Sequence, residues 1–384
     1  MKIGISCYPT FGGSGVVASE LAMALAAAGD ETHVISYALP SRLELVDPLL
    51  NYHEVVVPHY PLFDYPPYSL ALATKMVEVA RHYRLDVMHV HYAVPNAVSA
   101  VLARQMLAPQ ELKVVTTLHG TDITLVGNDP NYLETTRFGV VESDAVTVVS
   151  EFLGRATREQ LGNNLEIDVV PNFIEPERFE QASQGPGARR WAKPGEKLLV
   201  HISNFRPVKR VLDVMEVFRR VRQTQPVRLL LVGDGPDRGK IERYCRDCDV
   251  CDSITFIGNL PQVEEVLAGA DLFLLPSETE SFGLAALEAL ACEVPVVATT
   301  VGGIPDVVSD GEDGFLCGVG DVEAMSDRCL ELLADDERRR QFGRRGRRKA
   351  IEKFSEDRVV KQYRAVYERV LAGRPPGPTA LAQA

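Results

Sequence analysis

Residues 2–37 read KIGISCYPTFGGSGVVASELAMALAAAGDETHVISY. KIGISCY is a short β run and PTFGGSG a loop. VVASELAMALAAAG then places Val17, Leu21, Leu25 and Ala28 on one helical face, and Gly29 ends the helix. THVISY is a second strand. Strand, helix and strand in that order need a crossover, so the two strands are parallel and the connection right-handed. The pattern continues outward through EVVV, DVMHVH, KVVTTLH, AVTVVS and DVVP, read as further buried strands separated by helix-length segments such as 69–83. That predicts a doubly wound sheet over residues 1–172.

A Gly- and Pro-rich stretch, SQGPGARRWAKPGEK, separates this half from a second strand series: LLVHIS, VRLLLVG, SITFIG, LFLLP and PVVATT. Helical patterns such as VLDVMEVFRRVRQT lie between them, so residues 190–355 form a second α/β sheet. The expected class is α/β: two Rossmann-like doubly wound parallel-sheet domains whose strand ends face an interdomain cleft, where ligands are expected. Residues 323–333, 336–353 and 356–371 read as helices, and 373–384 as a disordered tail.

Composition narrows the function. The 384 residues are 46% hydrophobic and 24% charged, as in an ordinary globular chain. Lys plus Arg number 41 against 53 Asp plus Glu, a net charge of -12 that argues against a general nucleic-acid binder. An anionic ligand must therefore find a local cationic pocket. No window approaches the ~18 consecutive apolar residues of a membrane span, and Lys2 leads straight into a strand without a signal-peptide core. A cytoplasmic protein with no stable membrane association is expected. Six of the seven cysteines lie beyond position 240, unlike a secreted disulfide framework, so reduced thiols are expected.

Several motifs admit both a functional and a purely structural reading. Gly12, Gly13, Ser14 and Gly15 sit between strand and helix, where amides and the helix dipole can face an anion, yet glycines also serve a tight turn that binds nothing. The full G-x-G-x-x-G spacing is absent and THVISYA ends without a ribose-binding acid, which disfavours a dinucleotide site. Arg206, Lys209 and Arg210 follow LLVHISNF and can neutralise a diphosphate, or form a solvated basic turn. PSETESFGLAALEAL leaves a strand at Pro276, turns through Glu280, Ser281 and Phe282, and enters a helix near Gly283. Glu280 then stands beside the free amides of Phe282, Gly283 and Leu284, while Glu288 is an isolated acid in an apolar helix and demands a polar partner. GGIPDVV after PVVATT is another glycine turn at a strand exit.

Glu280 and Glu288, with seven residues between them inside E-S-F-G-L-x-x-L-E-A and followed by PVVAT-x-x-GG, closely resemble the donor-site signature of the retaining glycosyltransferases of family four. The likeness runs over almost the whole chain. CYPTFGGSGVVASELA, YPPYSLALATKM, HVHYAVP and VVTTLHGTDIT are more specifically similar to the members of that family that act in bacillithiol biosynthesis. The resemblance implies the B-type fold, with the helix at about 356–372 crossing back onto an acceptor-binding first domain. It implies UDP-N-acetylglucosamine as donor, L-malate as acceptor, a retaining transfer without metal or other cofactor, and a homodimer or higher homo-oligomer.

Carried over by position, Glu280 holds the donor sugar with Ser281 and the amides of Phe282, Gly283 and Leu284, and Glu288 binds the ribose. Lys209 and Arg206 neutralise the diphosphate, helped by the amide of Gly15, and His119 contacts the sugar near its C6 hydroxyl. The family commonly has Arg where this chain has Asn204, a departure for which Arg206 can substitute. Ser14, Tyr92, Thr117 and Arg137 match acceptor-contacting positions. Read without the resemblance, His119 can be a structural histidine at a strand end, and Arg137 a partner of Glu134 or Glu142. Two other patterns read as structural. Cys245, Cys248 and Cys251 form C-x-x-C-x-x-C without the further Cys and Pro of a ferredoxin, and the arginines at 338–340 and 344–348 follow Asp335, Asp336 and Glu337 on a solvated helix. The rivals are a family-four transferase with another acceptor (an inositol phosphate or a lipid), a sugar-nucleotide epimerase of the same fold, and a sugar-nucleotide-binding protein without turnover.

Overall fold

A computed structural model describes residues 1–10, 12–58, 61, 63–183 and 187–373. The tail expectation for 373–384 falls outside them except at Gly373. The chain divides into two compact units, Met1–Pro171 together with the chain from Asp357 onward, and Asn172–Glu356.

The first unit is built on seven parallel strands: β1 (Lys2–Ser6), β2 (Glu31–Ser36), β3 (Leu50–Glu54), β4 (Val87–His91), β5 (Lys113–Leu118), β6 (Ala145–Val148) and β7 (Asp168–Val169). Their order is β3-β2-β1-β4-β5-β6-β7, so the chain winds outward from β1, then restarts at β4 on its other side. Loops leaving β1 and β4 therefore diverge, which opens a crevice at their carboxyl ends. The strand expected at EVVV lies instead over Leu50–Glu54. This edge strand pairs only with β2 and carries Asn51, Tyr52 and His53 at half-exposed positions, so an apolar run does not mark it.

β4 divides its side chains between two faces. Met88 and Val90 join an apolar cluster with Leu72, Met76, Ala100 and Leu107, whereas His89 and His91 point to the opposite face. There the helix Glu356–Leu371 returns to the first unit, burying Val359, Val360, Tyr363, Val366, Tyr367 and Val370 at helical spacing. Tyr367 Oη lies 2.8 Å from His89 Nδ1, and Arg369 pairs with Asp168.

The second unit holds six parallel strands: β8 (Lys197–Ile202), β9 (Val227–Val232), β10 (Ile254–Gly258), β11 (Leu272–Leu275), β12 (Val296–Thr299) and β13 (Gly314–Cys317). Their order is β10-β9-β8-β11-β12-β13, with the reversal between β8 and β11. The four-residue GFLC strand β13 was not expected; its pairing with β12, rather than its length, makes it a strand. The cysteine expectation needs correction. After the helix Arg238–Asp247 the chain turns through Asp249 at φ 51° and brings Cys251 back to the last helical turn, where it is disulfide-bonded to Cys245 with the Cα atoms 5.1 Å apart. Cys7, Cys248, Cys292, Cys317 and Cys329 are free thiols. In the helix Asp336–Phe354, Arg340 and Arg344 pair with Glu337 and Arg338 with Glu331.

Two glycine pairs hold the switch-point loops of this unit at contact distance. A Cβ at Gly302 (φ 56°) would fall 1.8 Å from the Glu280 carbonyl, and one at Gly303 2.3 Å from that of Ser281. On the other side, a Cβ at Gly235 would fall 2.0 Å from the Asn204 carbonyl and one at Gly233 1.8 Å from that of Ser203. Gly311 (φ 74°) has the same handedness but open space around it. Gly311→Ala should therefore cost about 1 kcal/mol of backbone strain, and Gly302→Ala clearly more, because the 280–281 peptide must also move. Urea unfolding of both variants checks this, and equal losses would contradict the close-approach argument.

Candidate active site

In the second unit the loops after β8 and β11 are tied to each other by backbone and side chain. The Glu278 amide donates to the Val208 carbonyl at 2.7 Å. Lys209 Nζ lies 2.6 Å from Glu280 Oε1, which also accepts from Ser277 Oγ at 2.8 Å. The ion pair is largely buried, with side-chain exposures of 20% for Lys209 and 12% for Glu280. Below it, Thr299 Oγ1 donates to the Ser277 carbonyl at 2.6 Å, and the Gly303 amide to that of Glu280 at 3.0 Å. His201 bridges β8 to β11 with Nδ1 2.9 Å from the Leu274 carbonyl and Nε2 2.8 Å from Ser203 Oγ. Burial pushes its pKa down to about 4, so this imidazole is a neutral strut.

The turn 280–283 then enters the helix Leu284–Ala291 through Gly283 at φ 95°. As the N-cap, Gly283 brings no side chain to cap that helix, and the first amides of a helix have no intrahelical partners. An amide-lined, positively polarised end thus stands next to a Lys–Glu pair, an arrangement suited to a phosphate and a hydroxylated ring together. Phe282 is buried against Phe354, ring centroids 5.7 Å apart, which anchors the turn. Glu288 is buried one turn into the helix. The three-cation cluster read from sequence separates: Lys209 turns to Glu280, Arg210 to Asp213 at 2.7 Å, and Arg206 is exposed beside the exposed Asn204.

The first unit gathers His119, Tyr92 and Thr117 at the ends of β4 and β5. The His119 ring meets His91 edge to edge, with Nε2 2.8 Å from His91 Nδ1, and its centroid lies 5.6 Å from that of the Tyr92 ring. Its backbone amide and that of Gly120 donate to the Asp122 carboxylate, which fixes the 119–122 turn. Burial drives the His119 pKa down to about 3 and the Asp122 carboxyl up to about 6, the latter against the pull of the amides it accepts. His119 therefore offers a neutral ring. Tyr92 has φ 82°, unusual for a residue with a Cβ, and is held by its amide's bond to the Thr117 carbonyl at 3.0 Å. Thr117 is fully buried, its hydroxyl 2.6 Å from both His89 Nε2 and Thr147 Oγ1, so it supports the site from beneath.

Two further positions are engaged locally. The Gly15 amide donates to the Gly12 carbonyl at 3.1 Å, and a Cβ there would fall 2.6 Å from the Tyr8 and Thr10 carbonyls; Ser14 is half-buried beside it. Arg137, exposed on the helix Leu133–Val141, donates to the Leu161 carbonyl at 3.2 Å, whereas Glu142 is met by Arg104 at 3.4 Å. Sequence reasoning passed over Asp122, Ser277, His201 and the paired histidines of HVH. The i, i+2 spacing of His89 and His91 in a strand was the available signal, since it puts both on one face. Among the described residues, no group of three or more His, Cys, Asp or Glu side chains is placed to hold a metal ion, and no helix is long and apolar enough to cross a membrane.

Comparison with known proteins agrees with this geometry. The family profile "Glycosyltransferase Family 4" matches residues 11–178, and "Glycosyl transferases group 1" matches residues 188–349. The chain is 46% identical over 372 residues to the N-acetyl-alpha-D-glucosaminyl L-malate synthase of Bacillus anthracis, covering 97% of each protein. It is 30% identical to the D-inositol 3-phosphate glycosyltransferase of Segniliparus rotundus, over 69% of this chain and 62% of that one. In fold it is similar to sucrose-phosphate synthase from Thermosynechococcus elongatus (TM-score 0.79, 22% identity, 97% and 100% coverage). It is also similar to Anabaena Alr3699/HepE in complex with UDP and glucose (TM-score 0.78, 18% identity, 96% and 99% coverage). Two doubly wound parallel sheets, near-full-length identity to a curated transferase and two matching family profiles place this chain in glycosyltransferase family four, with the B-type fold.

Proposed function

We propose that the protein is a retaining glycosyltransferase that moves N-acetylglucosamine from UDP-N-acetylglucosamine to the hydroxyl of L-malate, in the cytoplasm and without a metal ion. The 46% identity to an L-malate synthase over 97% of both chains carries the choice of donor and acceptor. The Lys209–Glu280 pair beside an uncapped helix supports the chemistry.

In this reading the second unit binds the nucleotide sugar. Glu288 takes the ribose, and Glu280 takes the sugar hydroxyls with Ser281 and the amides of Phe282, Gly283 and Leu284. The diphosphate is assigned to Lys209 and Arg206 with Asn204 and, by the resemblance alone, to the Gly15 amide, which in the structure donates to the Gly12 carbonyl. Charge accumulates on the β-phosphate as the bond from C1 to its oxygen breaks, and these donors stabilise that charge where it develops. The malate hydroxyl attacks C1 from the same face and gives its proton to a β-phosphate oxygen, so the products are UDP and an α-linked glycoside. His119 meets the sugar near its C6 hydroxyl. Malate brings two carboxylates to a chain of net charge -12, so a fixed local cation must supply its affinity. Arg137 is that cation, with Ser14 and Tyr92 as neutral contacts and Thr117 beneath them.

Incubation with UDP-N-acetylglucosamine and a panel of hydroxy acids and inositol phosphates, with mass analysis of the products, tests the function. The account expects glycosyl malate, undiminished by chelator; an inositol phosphate product, or loss of activity with chelator, would overturn the acceptor or the metal-free reaction respectively. Lys209→Ala should lower kcat more than donor affinity, by about 3 kcal/mol in the chemical step. Glu280→Gln should depress turnover while Glu288→Gln mainly weakens UDP binding, and equal losses of UDP affinity by calorimetry would show the two roles wrongly divided. Arg137→Ala should raise the KM for malate, worth about 2 kcal/mol, with Arg137→Lys intermediate because it keeps charge but loses the planar fork. A malate KM untouched in Arg137→Ala would make that arginine structural.

A further inference from the structure

Beneath His119 the first unit buries a row of imidazoles. His89 and His91 have ring centroids 4.5 Å apart, and those of His91 and His119 are 5.0 Å apart. All three are held neutral by burial, so each ring carries one N–H and one bare nitrogen, and every hydrogen bond in the row constrains which is which. The His89 branch is satisfied at both nitrogens, by Tyr367 Oη and Thr117 Oγ1. The His91 ring is not. Its Nδ1 faces His119 Nε2 at 2.8 Å, while its Nε2 is buried with no hydrogen-bond partner among the described residues.

That asymmetry fixes a proton. A buried nitrogen without a partner loses less as a bare lone pair than as an N–H, because an orphaned buried donor is the rarer and costlier case. His91 then keeps its hydrogen on Nδ1 and donates it to His119 Nε2. Since that nitrogen of His119 accepts, His119 must carry its own hydrogen on Nδ1. The bond between Asn96 Nδ2 and the His91 carbonyl, 2.6 Å, together with the Ser6 Oγ contact to Asn96 Oδ1, holds the end of β4 in place for this exchange.

We infer that His91 is a positioning residue that locks His119 as its Nδ1–H tautomer, so that His119 presents a hydrogen-bond donor, not an acceptor, to the oxygen of the group being transferred. The tautomer follows from the His91–His119 hydrogen bond together with the buried, unpartnered Nε2 of His91; the identity of the oxygen rests on the reading of His119 as a donor-sugar contact. In water the Nε2–H tautomer of histidine predominates, so the protein must impose the other one. No titration is involved, because neither ring gains charge.

Nitrogen-15 NMR of histidine-labelled protein reads the tautomer directly from two-bond ring couplings, with His119 assigned through His119→Ala. The inference expects the Nδ1–H pattern for His119 in the unsubstituted protein and in His91→Asn, whose side-chain amide still reaches with a donor. In His91→Leu no donor holds Nε2 of His119, so kcat should fall about tenfold, the loss of one neutral hydrogen bond, with little change in the KM for the sugar nucleotide, whereas His91→Asn should keep most of the activity. An Nε2–H pattern for His119 in the unsubstituted protein overturns the inference, as does a folded His91→Leu with undiminished kcat or a folded His91→Asn that loses as much as His91→Leu. If His91→Leu does not fold, the unsubstituted pattern and His91→Asn still decide. Should His119→Ala transfer sugar normally, the reading of His119 as a substrate contact fails while the tautomer assignment stands.

Discussion

A single ion pair, Lys209 to Glu280, spans the point where the second sheet reverses its winding, and the surrounding residues serve to keep it there. An ammonium and a carboxylate that are mostly withdrawn from water are favourable only if their remaining hydrogen-bonding capacity is met and their loops cannot drift. Ser277 supplies the second bond to Glu280, the Val208 to Glu278 backbone bond joins the loops, and Gly302 and Gly303 let the next loop press against the Glu280 backbone. Gly233 and Gly235 do the same for the lysine loop. The requirement for glycine at these positions follows from close approach, and at Gly233 and Gly302 from handedness as well.

The first unit solves a different problem with polar groups. Its sheet buries an apolar cluster on one side and a set of imidazoles, hydroxyls and phenols on the other. Buried polar groups are tolerable when paired, and the helix Glu356–Leu371 supplies one such pairing by returning Tyr367 to His89. Desolvation then holds the histidines neutral across the physiological range, so in the proposed reading His119 works through the direction of its N–H and not through charge.

Much of this was legible in the chain before folding. The run KIGISCYPTFGGSG announces a parallel sheet because a strand followed by a glycine loop and an apolar helix has few other solutions, and ESFGLAALEAL stands out because Glu288 interrupts an otherwise apolar helix. What escaped was what depends on partners far away. His89 and His91 look like ordinary strand residues until Tyr367, 278 positions later, comes to rest on His89. The glycine turn at 302–303 was visible at its strand exit, but its contact with the 280–281 backbone, like that of Gly233 and Gly235 with residues 203 and 204, joins consecutive strand exits and has no local signature. Arg210 is the opposite case: its partner Asp213 is three residues away, and helical spacing alone could have removed it from the cationic cluster.

The stereochemistry of the product tests the account most directly, because it depends at once on the transfer itself and on the face from which malate attacks. Proton NMR of the glycoside made from UDP-N-acetylglucosamine and L-malate should show the small H1–H2 coupling of an α-linked sugar as the first product formed. A β-linked first product, with its large diaxial coupling, would mean attack from the face opposite UDP and would contradict the site as assigned.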